Sequence, residues 1–446
     1  MVVRVRRALL AGVVALLGMS GTAAAQTATP LAAQVPAVGS PLVKGDWPDP
    51  DLSLVGGAYY TVATSTNWAP TFRVLRSTDL RNSGFKLAPV DLNLFPGGFN
   101  NLNDAFMPLC VQAAQVAIER ICPDAWILQA GNPVFEGTTL MTRETGIQAC
   151  GLCHGHYGYR TVARVIGLVP EKVTFQAPGL NHNIWMTHFY HEGQDAYPLL
   201  DDWIANKAEE YWAEADKKGV DIPAQMSRAA IHQYKMFGLM PIGDTPRGGG
   251  WWYHTDMDTR RRWYGATGGG DTPEGRDKIL RGKDEKYEQM KQAAYGDKVR
   301  PIDLFGNKRS SEQHIPIIDG LVNDHEGQFQ VNVPNNGALA GLPDDVVVEV
   351  PAIVNIKGIQ PLCVGELPAK VMLTKIIPDW LDMEVALEAL LSGDKSMLLY
   401  GVLQSHQTRS YDQAVEVMEA LMHMEPSEPM AYLEDINEHY QWPDIW

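Results

Sequence analysis

The sequence predicts a mixed α/β to α+β fold that is preceded by a small antiparallel β-meander. Three observations support this prediction. Residues 41–95 contain short β-type runs separated by turn residues. Residues 136–165 alternate strand and helix signals, and residues 190–240 follow a helical pattern with one charged face. A chain of 446 residues is long enough for two or three domains with hydrophobic cores.

The individual elements follow from periodicity and turn chemistry. In the first part of the chain the sequence predicts strands at 51–54, 59–65, 72–77 and 85–89, a helix at 107–121 and a buried strand at 125–130. Residues 245–275 are rich in Gly and Trp and predict loops. The later elements are a charged helix at 278–294, strands at 329–333 and 346–350, and amphipathic helices at 383–391 and 411–424.

Composition is that of a globular protein and excludes two classes of partner. Hydrophobic residues make up 45% of the chain and charged residues 20%, which is ordinary for such proteins. The formal net charge of −16 argues against nucleic acid and against an anionic membrane. We therefore expect neither of these as a partner.

The N-terminus has the features of an export signal. Three arginines among the first seven residues precede an apolar run at 8–17, and small residues offer a cleavage site after Ala25. We expect residues 1–25 to be a signal peptide and residues 26–40 a linker, which predicts a secreted or periplasmic protein. Five cysteines, an odd and sparse set, suit a reducing compartment better.

Two segments carry residues suited to metal binding. GLCHGHYG contains Cys153, His154 and His156, and GLNHNIW contains Asn181 and His182. A thiolate and a neutral imidazole would leave coordination positions open for substrate oxygens, as a catalytic metal requires. Ligand softness favours zinc or iron on such a pair. The residues alone are equally compatible with a buried cysteine and histidine of structural role.

These segments resemble glycoside hydrolase family 4, together with the text QAGNPVFEGTTLMTR before them and NNGALAGLPDD after them. The resemblance covers about residues 104–446. It implies an incomplete Rossmann-like segment at 104–165, followed by a lactate-dehydrogenase-like substrate and metal domain at 166–446. It also implies an NAD- and manganese-dependent glycosidase of α-glucosidase type acting on a small glycoside, self-association into a homo-oligomer, and, taken alone, a cytoplasmic location.

The resemblance assigns metal and substrate roles. Cys153 and His182 would ligate Mn²⁺, and Asn132 in the GNP motif would contact the sugar, with Asn181 as a further candidate for substrate contact. In this family NAD takes a hydride from C3 of the sugar, which makes the C2 proton acidic. The metal stabilises the enediolate that forms when a base removes this proton.

The resemblance also suggests the acid–base residues. Asp244 in PIGDTPR is the expected base, although a turn role beside Gly243 is the alternative. His154, or its neighbour His156, could protonate the leaving group. Arg247 lies in the same loop as Asp244 and could hold an anionic group or the cofactor.

The dinucleotide fingerprint of such enzymes does not occur in the sequence. NAD needs a strand, a glycine-rich turn and a helix N-terminus that receives the pyrophosphate. The pattern G-x-G-x-x-G is missing, and the glycines at 268–270 follow no predicted strand. The cofactor-binding residues are therefore unknown, and we expect the NAD-dependent route to be impaired.

Three alternatives remain open at this stage. Residues 41–95 resemble the first blade of a glycoside hydrolase family 43 propeller, in which Asp49 would be the base of an inverting arabinosidase or xylosidase, but no further blades follow. Cys150, Cys153 and His154 form C-x-x-C-H, the attachment signature of c-type haem. The change in sequence character near residue 100 is compatible with an inactive, chimeric or binding protein.

Overall fold

The computed structural model describes residues 124–295, 306 and 312–422, together with three strands at 51–55, 58–63 and 73–77. The predicted signal peptide, the linker, the strand at 85–89, the helix at 107–121 and Asp49 lie outside the described residues. No helix in the described part of the chain has the length and apolarity needed to cross a bilayer.

The first three strands form an antiparallel meander. They are β1 (Asp51–Val55), β2 (Ala58–Ala63) and β3 (Arg73–Ser77), in the order β1-β2-β3. Asp51 pairs with Val62, and Tyr59 pairs with Ser77. This confirms three of the predicted strands; the likeness of residues 41–95 to a propeller blade stays a prediction.

A parallel β-α-β unit opens the main body. It consists of β4 (Trp126–Gln129), α1 (Val134–Glu144) and β5 (Gln148–Gly151), and β4 and β5 pair in parallel. A parallel pair needs a crossover connection, and the helix provides it. The predicted buried strand at 125–130 and the alternation over 136–165 are both confirmed.

The remaining elements follow in two series. The strands are β6 (Val173–Gln176), β7 (Gly179–Leu180), β8 (Asn183–Met186), β9 (His188–His191), β10 (Gln194–Asp195), β11 (Met240–Ile242), β12 (Gly327–Pro334), β13 (Val347–Asn355) and β14 (Gly358–Pro361). The helices are α2 (Gly158–Val165), α3 (Tyr197–Asn206), α4 (Ala208–Lys218), α5 (Arg228–Phe237), α6 (Met257–Tyr264), α7 (Pro273–Tyr295), α8 (His314–Asn323), α9 (Ala369–Val371), α10 (Ile377–Ser392), α11 (Lys395–Gln404) and α12 (Tyr411–Met422). A π-helical turn at Met372–Ile376 joins α9 to α10.

One mixed sheet organises the main body. Its strand order is β11-β8-β7-β13-β12-β5-β4, with β14 on β13. Strands β12 and β13 form its long antiparallel centre, which confirms the predicted strands at 329–333 and 346–350. Nearly every residue of β13 is buried, on both faces, because the sheet is covered on both sides. Strands β10, β9 and β6 form a separate small antiparallel sheet.

Two hydrophobic clusters support the described body. The first contains Leu140 of α1, Val331 of β12 and Leu387 of α10. The second contains Ile184 of β8 and Ile231 of α5, together with residues of α3 and α4. The amphipathic helices predicted near 383–391 and 411–424 are confirmed as α10 and α12.

The prediction of loops throughout 245–275 is wrong. Helix α6 lies inside this stretch, and α7 begins at Pro273. Asp256 is the N-cap of α6, and its side chain accepts a hydrogen bond from the Thr259 amide. Gly265 follows the last helical residue with a φ of 103°. The helix therefore has a local start signal that the surrounding glycines and tryptophans obscured. The charged helix predicted at 278–294 is confirmed as part of α7.

Ser227 gives a test of the local stability of this body, because it caps α5 from a fully buried position. Its Oγ accepts a hydrogen bond from the Ala230 amide at 3.1 Å and donates one to the Ala224 carbonyl at 2.7 Å. Ser227→Ala should lower the free energy of unfolding by about 1–2 kcal/mol, since the Ala230 amide loses its partner and the Ala224 carbonyl keeps only its bond from the Ser227 amide. Chemical denaturation measures this change. Ser392→Ala, at the exposed C-terminal end of α10, should cost less than about 0.5 kcal/mol; equal losses would contradict the cap.

Candidate active site

A cleft of about 1150 Å³ opens in the main body, a volume slightly above the usual range of small-molecule sites. Segments attached to both hydrophobic clusters line it, including the loop after β5, the turn between β7 and β8, the segment after β11, and α7. Six of the seven predicted site residues contribute to its wall: Asn132, Cys153, His154, His182, Asp244 and Arg247. The sequence therefore identified residues that the fold brings to one place.

Two loops meet at the base of the cleft through glycine backbones. A Cβ on Gly243 would lie 2.8 Å from the Cα of Gly155, and Gly243 also has a left-handed φ of 66°. Only glycine tolerates both conditions at little cost. The Nε2 of Gln225 donates a hydrogen bond to the Gly243 carbonyl at 2.9 Å. These contacts place the loop that carries Cys153 against the loop that carries Asp244.

Cys153 lies between the end of β5 and a 3₁₀ turn at Gly155–Tyr157 that leads into α2. Burial, together with the negative charges of Glu349 and Asp244, raises the pKa of the Cys153 thiol to about 12, against hydrogen bonds that lower it. The sulfur is therefore a neutral thiol at pH 7 in the absence of a cation. A divalent metal would stabilise the thiolate, since coordination deprotonates a thiol.

His182 occupies the tight turn between β7 and β8. Its φ is 64°, a left-handed conformation that is uncommon for a residue with a side chain. Its Nε2 is 3.5 Å from an Asp244 carboxylate oxygen. Burial lowers the pKa of His182 although Asp244 opposes the shift, so the ring is neutral at pH 7 and has a free lone pair for a metal.

The donor set at this point fits a catalytic cation. Cys153 and His182 face the same cleft, and the charge of Asp244 acts on the pKa of both. The described residues contain no group of three or more His, Cys, Asp or Glu side chains that could hold a metal. Two protein ligands leave the other positions to substrate oxygens or water, as catalytic sites require.

Asp244 is held as a carboxylate by its neighbours. Arg247 donates a short hydrogen bond to Asp244 and lies 3.7 Å from an Asp271 oxygen. Burial alone would raise the pKa of Asp244, but the charge and hydrogen bond of Arg247, with the charge that His182 carries once it is protonated at low pH, outweigh burial, and the pKa is lower than usual. Asp244 is therefore ionised at neutral pH, as a base must be. The base role of Asp244 and the anion-binding role of Arg247 stay predictions.

The two histidines beside Cys153 have different environments. The side chain of His154 is 70% exposed on the cleft wall, with Nδ1 3.5 Å from a Glu312 oxygen. His156 is buried, its Nδ1 is 3.1 Å from the Cys153 carbonyl, and its ring stacks on Phe175. Burial lowers the pKa of His156 to about 4. Of these two histidines, only His154 is placed to exchange a proton with a ligand in the cleft.

The two asparagines are also placed differently. Asn132 precedes α1 and lines the cleft. Asn181 does not contribute to the cleft wall: it is buried, and its Nδ2 donates to a Glu349 oxygen at 3.0 Å. A hydrogen bond from Asn181 also lowers the pKa of Cys153. The structure thus places Asn181 beside the sulfur, and its contact with substrate stays a prediction.

Several residues of the site were missed from the sequence. Tyr264, Lys278 and Glu312 line the cleft. Tyr264 lies in the stretch that was predicted to be loop, and its Oη donates to the Pro246 carbonyl at 3.1 Å. Glu349 had a visible signal, because it is the lone charged residue of the strand VVEVPAIVN and charged residues are rarely buried without a partner.

The described residues do not fit the pyrophosphate of NAD. The turn between β4 and α1 reads Ala-Gly-Asn-Pro, so it holds one glycine and a proline where a glycine-rich turn would be needed. Pro133 lacks an amide hydrogen to donate at this helix N-terminus.

The haem interpretation of C-x-x-C-H is wrong. Cys150 is completely buried in the first hydrophobic cluster, whereas Cys153 faces the cleft. The first thiol of the motif is therefore a core residue, and a haem could not reach it without opening the sheet.

Two models of one protein family match consecutive stretches of the chain. The model described as "Family 4 glycosyl hydrolase C-terminal domain" matches residues 177–408, and that described as "Family 4 glycosyl hydrolase" matches residues 96–168. A model described as "Glutamate-cysteine ligase" matches residues 60–129, most of which lie outside the described residues.

Two curated relatives illustrate the similarity. The "Probable 6-phospho-beta-glucosidase" of Bacillus subtilis is 26% identical over 333 residues, which cover 73% of this chain and 70% of the relative. An alpha-galacturonidase of Lachnoclostridium phytofermentans is 28% identical over 309 residues, which cover 66% of this chain and 63% of the relative. The chain thus spans roughly two thirds of the length of these relatives.

Solved structures share the fold, which confirms the predicted α/β to α+β class. A 6-phospho-alpha-glucosidase from gut microorganisms, in complex with NAD and Mn²⁺, superposes with a TM-score of 0.55 at 19% identity and covers 73% of this chain and 72% of that one. The 6-phospho-beta glucosidase of Thermotoga maritima, with manganese, NAD⁺ and glucose-6-phosphate, gives a TM-score of 0.51 at 18% identity and covers 76% and 71%. Together with the C-terminal family model, which matches more than half of the chain, these findings favour family 4 over the other sequence-based alternatives. This chain belongs to family 4 of the glycosyl hydrolases.

Proposed function

We propose that this protein hydrolyses O-glycosidic bonds of small glycosides in the described cleft, with a divalent metal held by Cys153 and His182. One observation carries the proposal: a thiol, a neutral imidazole and an ionised carboxylate converge on one cleft. Asp244 lies 3.5 Å from His182, and its charge acts on Cys153 as well. The expected metal is manganese, because two of the similar solved structures contain it.

Each residue would have a distinct part in the reaction. The bound cation would supply Lewis-acid stabilisation of negative charge on sugar oxygens. Asp244, kept ionised by Arg247, would act as the base. His154, exposed and close to Glu312, would deliver a proton to the leaving group. Asn132 would contact the sugar, and the buried Asn181 would support the metal ligands from behind.

The charges of the cleft favour a sugar without a phosphate group. Arg247 and Lys278 are its lining Arg and Lys side chains among the described residues. Arg247 is paired with Asp244 and lies near Asp271, and Lys278 is 2.7 Å from Asp221. A phosphate would have to displace a carboxylate from one of these cations, since recognition of phosphate uses charged donors. An unphosphorylated α-glucoside is therefore the first substrate to test.

Hydrolysis of a nitrophenyl α-glucoside tests the proposed activity directly. The assay should be run with and without Mn²⁺, NAD and a thiol reductant. Turnover that requires Mn²⁺, NAD and reductant together would support the family 4 route; the reductant is needed because oxidation of Cys153 removes a ligand. Turnover that ignores all three additions would indicate a pair of carboxylates instead. No turnover under any condition would support an inactive or binding protein, and titration of NAD against the protein would show whether cofactor loss is the cause.

Cys153→Ser tests the metal site without depending on activity. Serine keeps the size of the side chain but lacks a thiolate, so we expect Mn²⁺ affinity to fall at least about tenfold. Electron paramagnetic resonance of free Mn²⁺ measures the affinity. Cys363→Ser is the matched control, because Cys363 is exposed and does not line the cleft. Equal Mn²⁺ affinity of both variants would exclude Cys153 as a ligand.

Asp244→Asn tests the base. Loss of the base should lower kcat by about 10²–10⁴-fold. Because Arg247 and His182 bring the pKa of Asp244 below its usual 3.8, the base is lost only as pH falls through that lower value. The wild-type rate should therefore show no fall due to Asp244 between pH 7 and pH 5. Asp258→Asn, on the exposed face of α6, is the control; an unchanged kcat in Asp244→Asn would rule out the assignment.

A further inference from the structure

Glu349 is a buried charged residue at the centre of the main sheet. It is 1% exposed and lies in β13, opposite Asn332 of β12 and Gly179 of β7. Described residues provide no lysine or arginine as a salt-bridge partner for it. A buried carboxylate without a cation is costly, so this position calls for a specific reason.

The hydrogen bonds around Glu349 indicate a carboxylic acid. One oxygen, Oε2, accepts from Asn181. The other, Oε1, is buried without a hydrogen-bond partner among the described residues, and so is the Oδ1 of Asn332. A proton on Oε1 would remove the charge from a buried and unpartnered oxygen, which lowers the cost of burying it.

The electrostatic environment agrees with that protonation. Burial raises the pKa of Glu349 to about 7, although the hydrogen bond from Asn181 lowers it. A neutral acid also removes a negative charge beside the Cys153 sulfur, since the charged form of Glu349 raises the pKa of that thiol.

Asn181 links this acid to the metal site. It donates to Glu349 at 3.0 Å and immediately precedes His182 in the turn between β7 and β8. We propose that Glu349 is a positioning residue: by accepting from the Asn181 amide, its buried carboxyl group fixes the turn that carries the His182 imidazole, and thereby the site that receives the cation. This inference rests on the proposed metal site and assigns it a support that reaches from the centre of the sheet.

Replacing Glu349 by a glutamine or a leucine separates positioning from packing. Glutamine keeps the acceptor, because its amide oxygen can accept from Asn181 as the carboxyl oxygen does. Glu349→Gln should therefore keep wild-type Mn²⁺ affinity, whereas Glu349→Leu should lower it by about 10–100-fold. Electron paramagnetic resonance of free Mn²⁺ gives the affinities, and thermal unfolding without metal gives the stability of each variant.

Val350→Ala is the matched control, because Val350 is the next residue of β13 and is fully buried. It should lower the unfolding temperature and leave Mn²⁺ affinity unchanged, so a purely structural role of β13 can be recognised. Glu349→Leu with wild-type affinity, or Glu349→Gln as weak as Glu349→Leu, would overturn the inference.

Asn181→Ala provides a second route if Glu349→Leu does not fold. It removes the link itself, so it should lower Mn²⁺ affinity in the same range as expected for Glu349→Leu, about 10–100-fold. Adding Glu349→Gln to Asn181→Ala should cause no further loss, since both act through one contact. Unchanged affinity in Asn181→Ala would contradict the link. Failure of the wild-type protein to bind Mn²⁺ would instead remove the proposed metal site together with this inference.

Discussion

The close approach of the Gly155 and Gly243 backbones is the contact on which the candidate site depends. The two loops come from distant parts of the chain, and one carries Cys153 while the other carries Asp244. Because a side chain at Gly243 would collide with Gly155 and strain its own backbone, the two loops can meet only at a glycine. The cleft, the electrostatic coupling of its residues and the proposed chemistry all follow from this contact.

Burial and charge act against each other in the site and leave each group in a useful state. Burial keeps the Cys153 thiol and the His182 ring neutral, whereas Arg247 keeps Asp244 charged in the same surroundings. A cation entering the cleft would be attracted by the carboxylate and would find an unprotonated ring nitrogen. If the proposed metal binds, Cys153 would become a thiolate only with that compensating cation beside it.

Local sequence patterns predicted much of the fold and most of the site. The apolar runs of β12 and β13 and the charged helix within α7 have strong periodicity, and the motif around Cys153 identified residues that do share a cleft. The helix α6 was missed because glycines and tryptophans on both sides hid its cap at Asp256. The support from Glu349 was missed because a lone charge in an apolar strand indicates burial but does not reveal which side chain it will meet across the sheet.

The strand pairing of the main sheet limits where this chain could be divided or recombined. The two family 4 models match residues on either side of about 170, yet β5 of the first part pairs with β12 of the second. Separating the two matched parts of the chain would leave an unpaired edge strand on each part. Such an edge strand can pair with strands of other chains. The two parts are therefore unsuited to exchange as independent modules. Any exchange between relatives would have to preserve the pairing of β5 with β12.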